Sequence, residues 1–421
     1  MVENAGVTRE KKRPWTGLVL SGGGARGAYE AGVIQYLRTQ LPPEIQKKIH
    51  FDIISGTSVG AINACFLAAN NHVPKIQGKA LSMIWERLRI EGVYQMGWRE
   101  VANLPRFLLG SRGRGTLDST LGPGRLGGLL NTLPLEQLVR RGNRWRYISK
   151  NIKSGNLRGM ALNATHIASG KTHVFAQTTE GVLPAWSTDP QVAAFHTEIG
   201  PNHALASAAI PWVFPSVEID GELYCDGSLK QNTPISPALR LGADRLLMIG
   251  LQPERNKPSV IQADDPETVD HFPSAVYLLG KILSATLVDK TEYDMKRLQR
   301  FNALLDAGTE AYGPEFEDRL GQVMKRMRGA PFRKIKTLVI RPSEEITQVT
   351  LRHINEGTIL SRAGGLVGSI FRRMADRGGD QASDLLSYLL FDGEYAADLI
   401  QLAMRDAHAQ REEIIAFFED N

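Results

Sequence analysis

Trp15–Leu20, Phe51–Ile54 and Arg245–Leu251 are short apolar runs bounded by turn residues, the pattern of strands buried on both faces. Met160–Ser169 and His173–Gln177 read as a hairpin turning at Ser169-Gly170-Lys171. Val217–Ile219 and Leu223–Cys225 read as a second hairpin, turning at Asp220-Gly221. Between these runs the spacing predicts helices over Ala28–Gln40, Ala61–Ala69, Gly78–Arg89 and Asn202–Ala209, with another starting at Pro237–Leu241 and a loop over Asn70–Gln77. Strand, loop and helix alternate, which predicts an α/β core. Past a polar linker, Pro253–Phe272, helical patterns dominate: Tyr277–Leu304, Thr350–Ser361, Ser383–Leu390 and Gly393–Phe418, interrupted by one strand, Ile335–Ile340. The expected organisation is a flexible arm over 1–13, a core domain over 14–252 that includes an insertion or lid-like segment at 92–159, and a C-terminal region over 253–421.

Two strand ends carry candidate chemistry. After Phe51–Ile54 comes Gly56-Thr57-Ser58-Val59-Gly60, then a helix rich in small residues. Glycines two positions either side of a serine suit a sharp elbow, because they remove Cβ atoms where a strand end and a helix start crowd together. The elbow lifts the Ser58 hydroxyl out of the sheet, beside the unpaired N–H groups of a helix start. A structural Gly/Ser turn is the plainer alternative. After Trp15–Leu20 comes Ser21-Gly22-Gly23-Gly24-Ala25-Arg26-Gly27, a run whose backbone N–H groups can converge on one anion. It satisfies G-x-G-x-x-G literally. However, no Lys-Ser/Thr pair completes a P-loop, and the next strand has Asp52 near its start rather than an acidic residue at its end. An oxyanion-holding role therefore ranks above nucleotide binding.

Composition narrows the classes. The chain has 421 residues, 23% charged, with a net charge of +5, too mild for its size to suggest a nucleic-acid binder. The two cysteines, Cys65 and Cys225, read as reduced core residues, which favours a cytoplasmic setting. No apolar window is long enough for a transmembrane helix. Between Arg99 and Arg158 there are twelve Lys/Arg against three acidic residues, interleaved with Trp98, Phe107, Trp145 and Tyr147. That pattern suits an anionic lipid surface, as does the amphipathic stretch 362–377, and places peripheral contact on the inner membrane surface. A solvated face with core aromatics is the alternative. His166 and His173 fall close together across the first hairpin without the cysteine or carboxylate spacing of a metal site.

A serine nucleophile needs a base. None of the histidines after the elbow sits in a Gly-rich loop that would present it. Asp226 ends a strand, precedes Gly227, and stands where a carboxylate can face a cleft. Gly22–Gly27, Gly56–Gly60 and Asp226-Gly227, in that order, resemble the motifs of bacterial patatin-like phospholipases. So do Ala206–Pro215 and Asn232-Thr233-Pro234, and the likeness covers roughly residues 15–250. Ser21 departs from the Asp of plant members, and Ser228 from the second glycine of the usual Asp-Gly-Gly form. The resemblance implies a three-layer α/β/α fold with a mostly parallel central sheet, to which the pattern past 260, outside the family core, adds a largely helical C-terminal extension. It further implies a serine acyl hydrolase of the phospholipase A or lysophospholipase type that needs no cofactor or metal. Ser58 would be its nucleophile, Asp226 its base, and Gly22, Gly23 and Gly24 its oxyanion hole. Arg26 would either meet a lipid phosphate or anchor the loop. A non-catalytic lipid-binding or scaffold protein keeping the same fold is the alternative in another class.

Overall fold

The computed structural model describes residues 13–95, 125–126, 128, 130–184, 186, 189–253, 290–328, 331–356 and 384–419. Among the described residues ten strands form one sheet: β1 Thr16–Leu20, β2 Ile53–Thr57, β3 Arg125–Leu126, β4 Gly159–His166, β5 Thr172–Thr178, β6 Val192–His196, β7 Ser216–Ile219, β8 Glu222–Asp226, β9 Arg245–Ile249 and β10 Lys336–Ile340. The path runs β10-β9-β1-β2-β4-β8-β7-β3, with β5 beside β4 and β6 beside β5. From β10 to β4 every pairing is parallel, whereas β4 pairs antiparallel with both β5 and β8. The parallel strands β1, β2 and β9 are buried along their whole length, because helices cover both faces. The sheet is thus mixed at one side and parallel at the other, and helices flank it as the α/β expectation required.

The helices that place the site are α1 Ala28–Thr39, α2 Pro43–Lys48, α3 Val59–Ala69, α4 Pro74–Glu86, α5 Leu133–Gly142, α6 Arg146–Lys153, α7 Pro201–Ser207 and α8 Ile235–Arg240. The C-terminal region adds α9 Lys290–Tyr312, α10 Phe316–Arg328, α11 Ile346–Asn355, α12 Gly393–Ala409 and α13 Arg411–Glu419, with a short helical stretch over 384–389. The expected single helix over Gly393–Phe418 is divided at Gln410, whose non-helical backbone closes α12. α4 starts at Pro74, inside the expected loop, because proline suits the first turn of a helix. The strand β6 and the helices α2 and α10 have no counterpart in the sequence reading: β6 is only partly buried, and α10 is polar on most sides.

β4 explains how the site comes together. Its first half pairs with β2, ending at Thr57 opposite Asn163. The next position on the same edge, Ala164, pairs with Asp226 at the end of β8. β2 and β8 run in opposite directions, so their C-terminal ends meet head to head along one edge of β4. β1 ends beside β2, with Leu20 opposite Gly56, so the glycine loop opens at the same place.

Of the basic aromatic segment over 99–158, residues 99–124, 127 and 129 lie outside the described residues, as do 362–377, residues 254–272 of the expected linker and 277–289 of the helix expected over Tyr277–Leu304. In the described part, Trp145 donates its Nε1–H to the Val139 carbonyl at 3.1 Å. Tyr147 stacks on His72 and lies under the Lys150 ammonium. These two aromatics are built into contacts within the fold.

Candidate active site

Ser58 has φ 56° and ψ −127°, a conformation that an L-residue adopts only when its surroundings enforce it. The enforcement is steric and local. A Cβ on Gly56 would stand 2.3 Å from the Gly60 carbonyl oxygen, and one on Gly60 would stand 2.6 Å from the Leu20 oxygen. Both glycines are therefore demanded by close backbone approach at the elbow. The Ser58 N–H donates to Ser207 Oγ at 2.9 Å, and that hydroxyl donates to the Asn163 carbonyl at 2.6 Å, tying the elbow to β4. Ser207 plays this role without any signal in the sequence beyond its place in a small-residue helix.

Ser58 Oγ donates to Asp226 Oδ2 at 2.6 Å. The other carboxylate oxygen, Oδ1, accepts the Ser228 N–H at 2.8 Å. Backbone bonds fix the aspartate itself: its N–H donates to Ala209, and its carbonyl accepts the Thr165 hydroxyl. Asp226 is fully buried and Ser58 is 4% exposed. Burial pushes the Asp226 carboxyl up to about 6, while the bonds from Ser58 and Ser228 pull the other way. Among the described residues no histidine bonds to Ser58 or Asp226. His203 instead accepts the Gly200 N–H at the start of α7 and lies edge-on to Phe175. His166 and His173 stack across the β4–β5 hairpin at 4.6 Å, as their spacing predicts.

The glycine loop lies against the elbow. A Cβ on Gly22 would fall 2.2 Å from Ser228 Oγ, 2.4 Å from Asn232 Oδ1 and 3.0 Å from Ser58 Cβ. The Gly22 N–H is already donated to the Asn232 carbonyl at 3.1 Å. Among the described residues, no acceptor takes the N–H of Gly23 or Gly24, next along the loop. Ser21, standing where plant members carry Asp, donates its hydroxyl to the Ile249 carbonyl and bonds Thr233, which seats the loop on β9.

Arg26 is 4% exposed. Its Nε and Nη2 both donate to Ser387 Oγ, at 2.9 and 2.6 Å, and Nη2 also donates to Asp384 Oδ1 at 2.7 Å. The guanidinium lies 4.0 Å from the centre of the Tyr388 ring. Arg26 thus ties the glycine loop to the stretch 384–388.

A second buried carboxylate underlies the loop. Glu30, fully buried on α1, accepts Asn63 Nδ2 at 2.8 Å, and the same amide nitrogen donates to the Gly27 carbonyl. Trp85 Nε1 donates to Asn63 Oδ1 at 3.1 Å. Burial pushes the Glu30 carboxyl up to about 8, and the bonds from Asn63 and the Ser21 backbone oppose that rise only in part. An acidic residue among Ala28, Ala31 and Val33 was the available signal for it.

The model of the family described as patatin-like phospholipase matches residues 18–239. A cGAMP-activated phospholipase of Pseudomonas aeruginosa is 32% identical over 218 residues, 52% of this chain and 53% of that protein. The lysophospholipase nte1 of Aspergillus terreus is 44% identical over 64 residues, 15% of this chain and 4% of that one. The chain thus spans about half the length of the first relative and a small fraction of the second. VipD from Legionella pneumophila is a solved structure that overlaps at a TM-score of 0.28 and 15% identity, over 92% of this chain and 67% of that one. An overlap at that score adds nothing to the assignment, which rests on the matched sequence: the chain belongs to the patatin-like phospholipase family.

Proposed function

We propose that this protein is a serine acyl hydrolase that cleaves carboxylic ester bonds of phospholipids or lysophospholipids through a Ser58–Asp226 dyad and an acyl-enzyme. The reading is carried by one observation: a strained serine at a strand end donates a 2.6 Å hydrogen bond to a fully buried aspartate whose acidity is weakened by burial. Asp226 takes the Ser58 proton as Oγ attacks the ester carbonyl. A carboxylate near 6 is a better base than an ordinary aspartate, yet remains mostly ionised at neutral pH. The tetrahedral oxyanion is held by the N–H groups of Gly23 and Gly24, with Val59 at the start of α3. One such donor is worth about 3 kcal/mol. Gly22, whose own N–H is engaged by Asn232, supplies the close approach to Ser58 instead. The alkoxide leaving group receives the proton from Asp226, which then takes a proton from the water that attacks the acyl-enzyme and passes it to Ser58 Oγ as the fatty acid is released.

The test is product analysis on a panel of phospholipids and lysophospholipids, comparing the wild type with Ser58→Ala and Asp226→Ala. Because the Pseudomonas relative is cGAMP-activated, the panel is run with and without cGAMP. Fatty-acid release by the wild type and its loss in both folded variants is the expected outcome. A wild type that binds lipid vesicles but releases nothing, and leaves Ser58 unlabelled by a fluorophosphonate, would replace this reading with the non-catalytic lipid binder.

A further inference from the structure

The family match ends at residue 239, yet the glycine loop is held by residues beyond 380. Asp384 and Ser387 receive the Arg26 guanidinium, and Tyr388 stacks on it. Ser387 is fully buried, and its hydroxyl hydrogen goes to the Asp384 carbonyl, so both Arg26 bonds meet oxygen lone pairs. The backbone of the same stretch reaches the loop directly. Gly24 has φ +57°, and a Cβ there would lie 2.2 Å from the Tyr388 carbonyl oxygen. The stretch is itself pinned to the core: Tyr94 donates its hydroxyl to the Leu389 carbonyl at 2.7 Å, and Phe391 stacks on Trp85. The Trp85 indole N–H reaches Asn63, which bonds Glu30 under the loop.

We infer that Asp384, Ser387 and Tyr388 are positioning residues for hydrolysis, holding the Gly23–Gly24 amides at the oxyanion through Arg26. The inference rests on the Ser58 reading for its catalytic part. Physically, Gly22–Gly24 lack side chains that would stiffen the loop, and glycine reaches many backbone conformations, so what packs on Gly24 selects the one it holds. Oxyanion donors act by being fixed before charge develops, so a loop free to move gives up stabilisation even with every donor present. Arg26 is the only charged side chain of the loop, and its planar fork meets two oxygens at once, a geometry that a lysine does not reproduce. The C-terminal region then becomes part of the catalytic unit, and displacement of residues 384–391 slows turnover without touching Ser58 or Asp226.

The experiment uses the full chain carrying Asp384→Ala with Ser387→Ala, beside Arg26→Lys. Expected are a fall in kcat of about ten- to a hundredfold with KM changed less than about twofold, and an equal slowing of fluorophosphonate labelling. Asp384→Asn, which keeps an acceptor oxygen, should recover much of the rate. Amide hydrogen exchange in the peptide spanning 20–28 should accelerate in the double variant, in the Ser58→Ala background as well. A folded double variant with wild-type kcat, or with unchanged exchange over 20–28, overturns the clamp. A wild type that fails to label at all overturns the Ser58 reading, and the clamp's catalytic role falls with it. If Arg26 served a lipid phosphate instead, Arg26→Lys would raise KM with kcat retained, which also overturns the inference.

Discussion

The two loops that meet at Ser58 look alike in sequence but are stabilised differently. Each follows a buried strand and precedes a helix, and each carries glycines at its tightest points. The elbow over 56–60 is held wholly within the family-matched residues 18–239: β4 alongside, the Leu20 and Ser21 carbonyls against Gly60, and Ser207 on the Ser58 N–H. The loop over 21–27 is held partly there, by Asn232 and Thr233, and partly from beyond it, by 384–388. A serine on an elbow packed this closely by backbone tolerates little variation around it. A set of backbone donors on a glycine loop depends on whatever packs behind it.

The largest expected effect comes from the elbow. Ser58→Ala should lower kcat by at least about a thousandfold, and Asp226→Asn by a similar order, since members of one catalytic unit fail together. The double variant should then be little worse than either single one. Independent, multiplying effects would break the dyad apart.

Glycine replacements separate the two loops. Gly60→Ala puts a methyl against the Leu20 and Ser21 carbonyls within the core, and should cost several kcal/mol of global stability in denaturant titration. Gly24→Ala meets the Tyr388 carbonyl and a positive φ, and should displace residues 384–391 while the core sheet persists. Limited proteolysis should then cut the C-terminal region first. Equal global unfolding by both variants would contradict the comparison.

The two buried carboxylates sharpen it through pH. Glu30 in the folded protein holds its proton up to about 8, against an ordinary value of 4.5. Its stabilising share is complete below 4.5 and is lost as pH rises through 8, because only the unfolded chain ionises freely in that window. Stability should therefore decline by a few kcal/mol between about pH 4.5 and 8, and Glu30→Gln should flatten that slope. Asp226 follows the same sign between 3.8 and about 6. The proposed mechanism requires it ionised as the base, so kcat/KM should fall about tenfold per unit below pH 6 and level off above it. A rate that falls instead between pH 6 and 8 would point to a different base.

The elbow, the glycine loop and Asp226 were legible because each stands at the end of an apolar run, where a strand must stop and a polar group reaches the surface of the sheet. The hairpin at Asp220-Gly221 was legible for a similar local reason: both residues have positive φ, at 53° and 82°, which aspartate and glycine tolerate. Glu30 and Ser207 were not, since a buried acid and a bonded serine resemble surface residues until their partners are known. β6 leaves little mark in the sequence, because none of its five positions is fully buried and it carries no sharp alternation.

What the chain fixed by itself was the set of local conformations: which runs become strands, where glycine is obligatory, and which serine and aspartate end those strands. Only the tertiary structure brought β2 and β8 end to end on one edge of β4, at Asn163 and Ala164, and so set Ser58 against Asp226 across 168 positions of sequence. It alone also joined Arg26 to Asp384, 358 positions away. Backbone sterics and burial act between neighbours and leave a mark in local pattern. Pairing between distant strand ends depends on the register of a third strand, and no local pattern encodes that register.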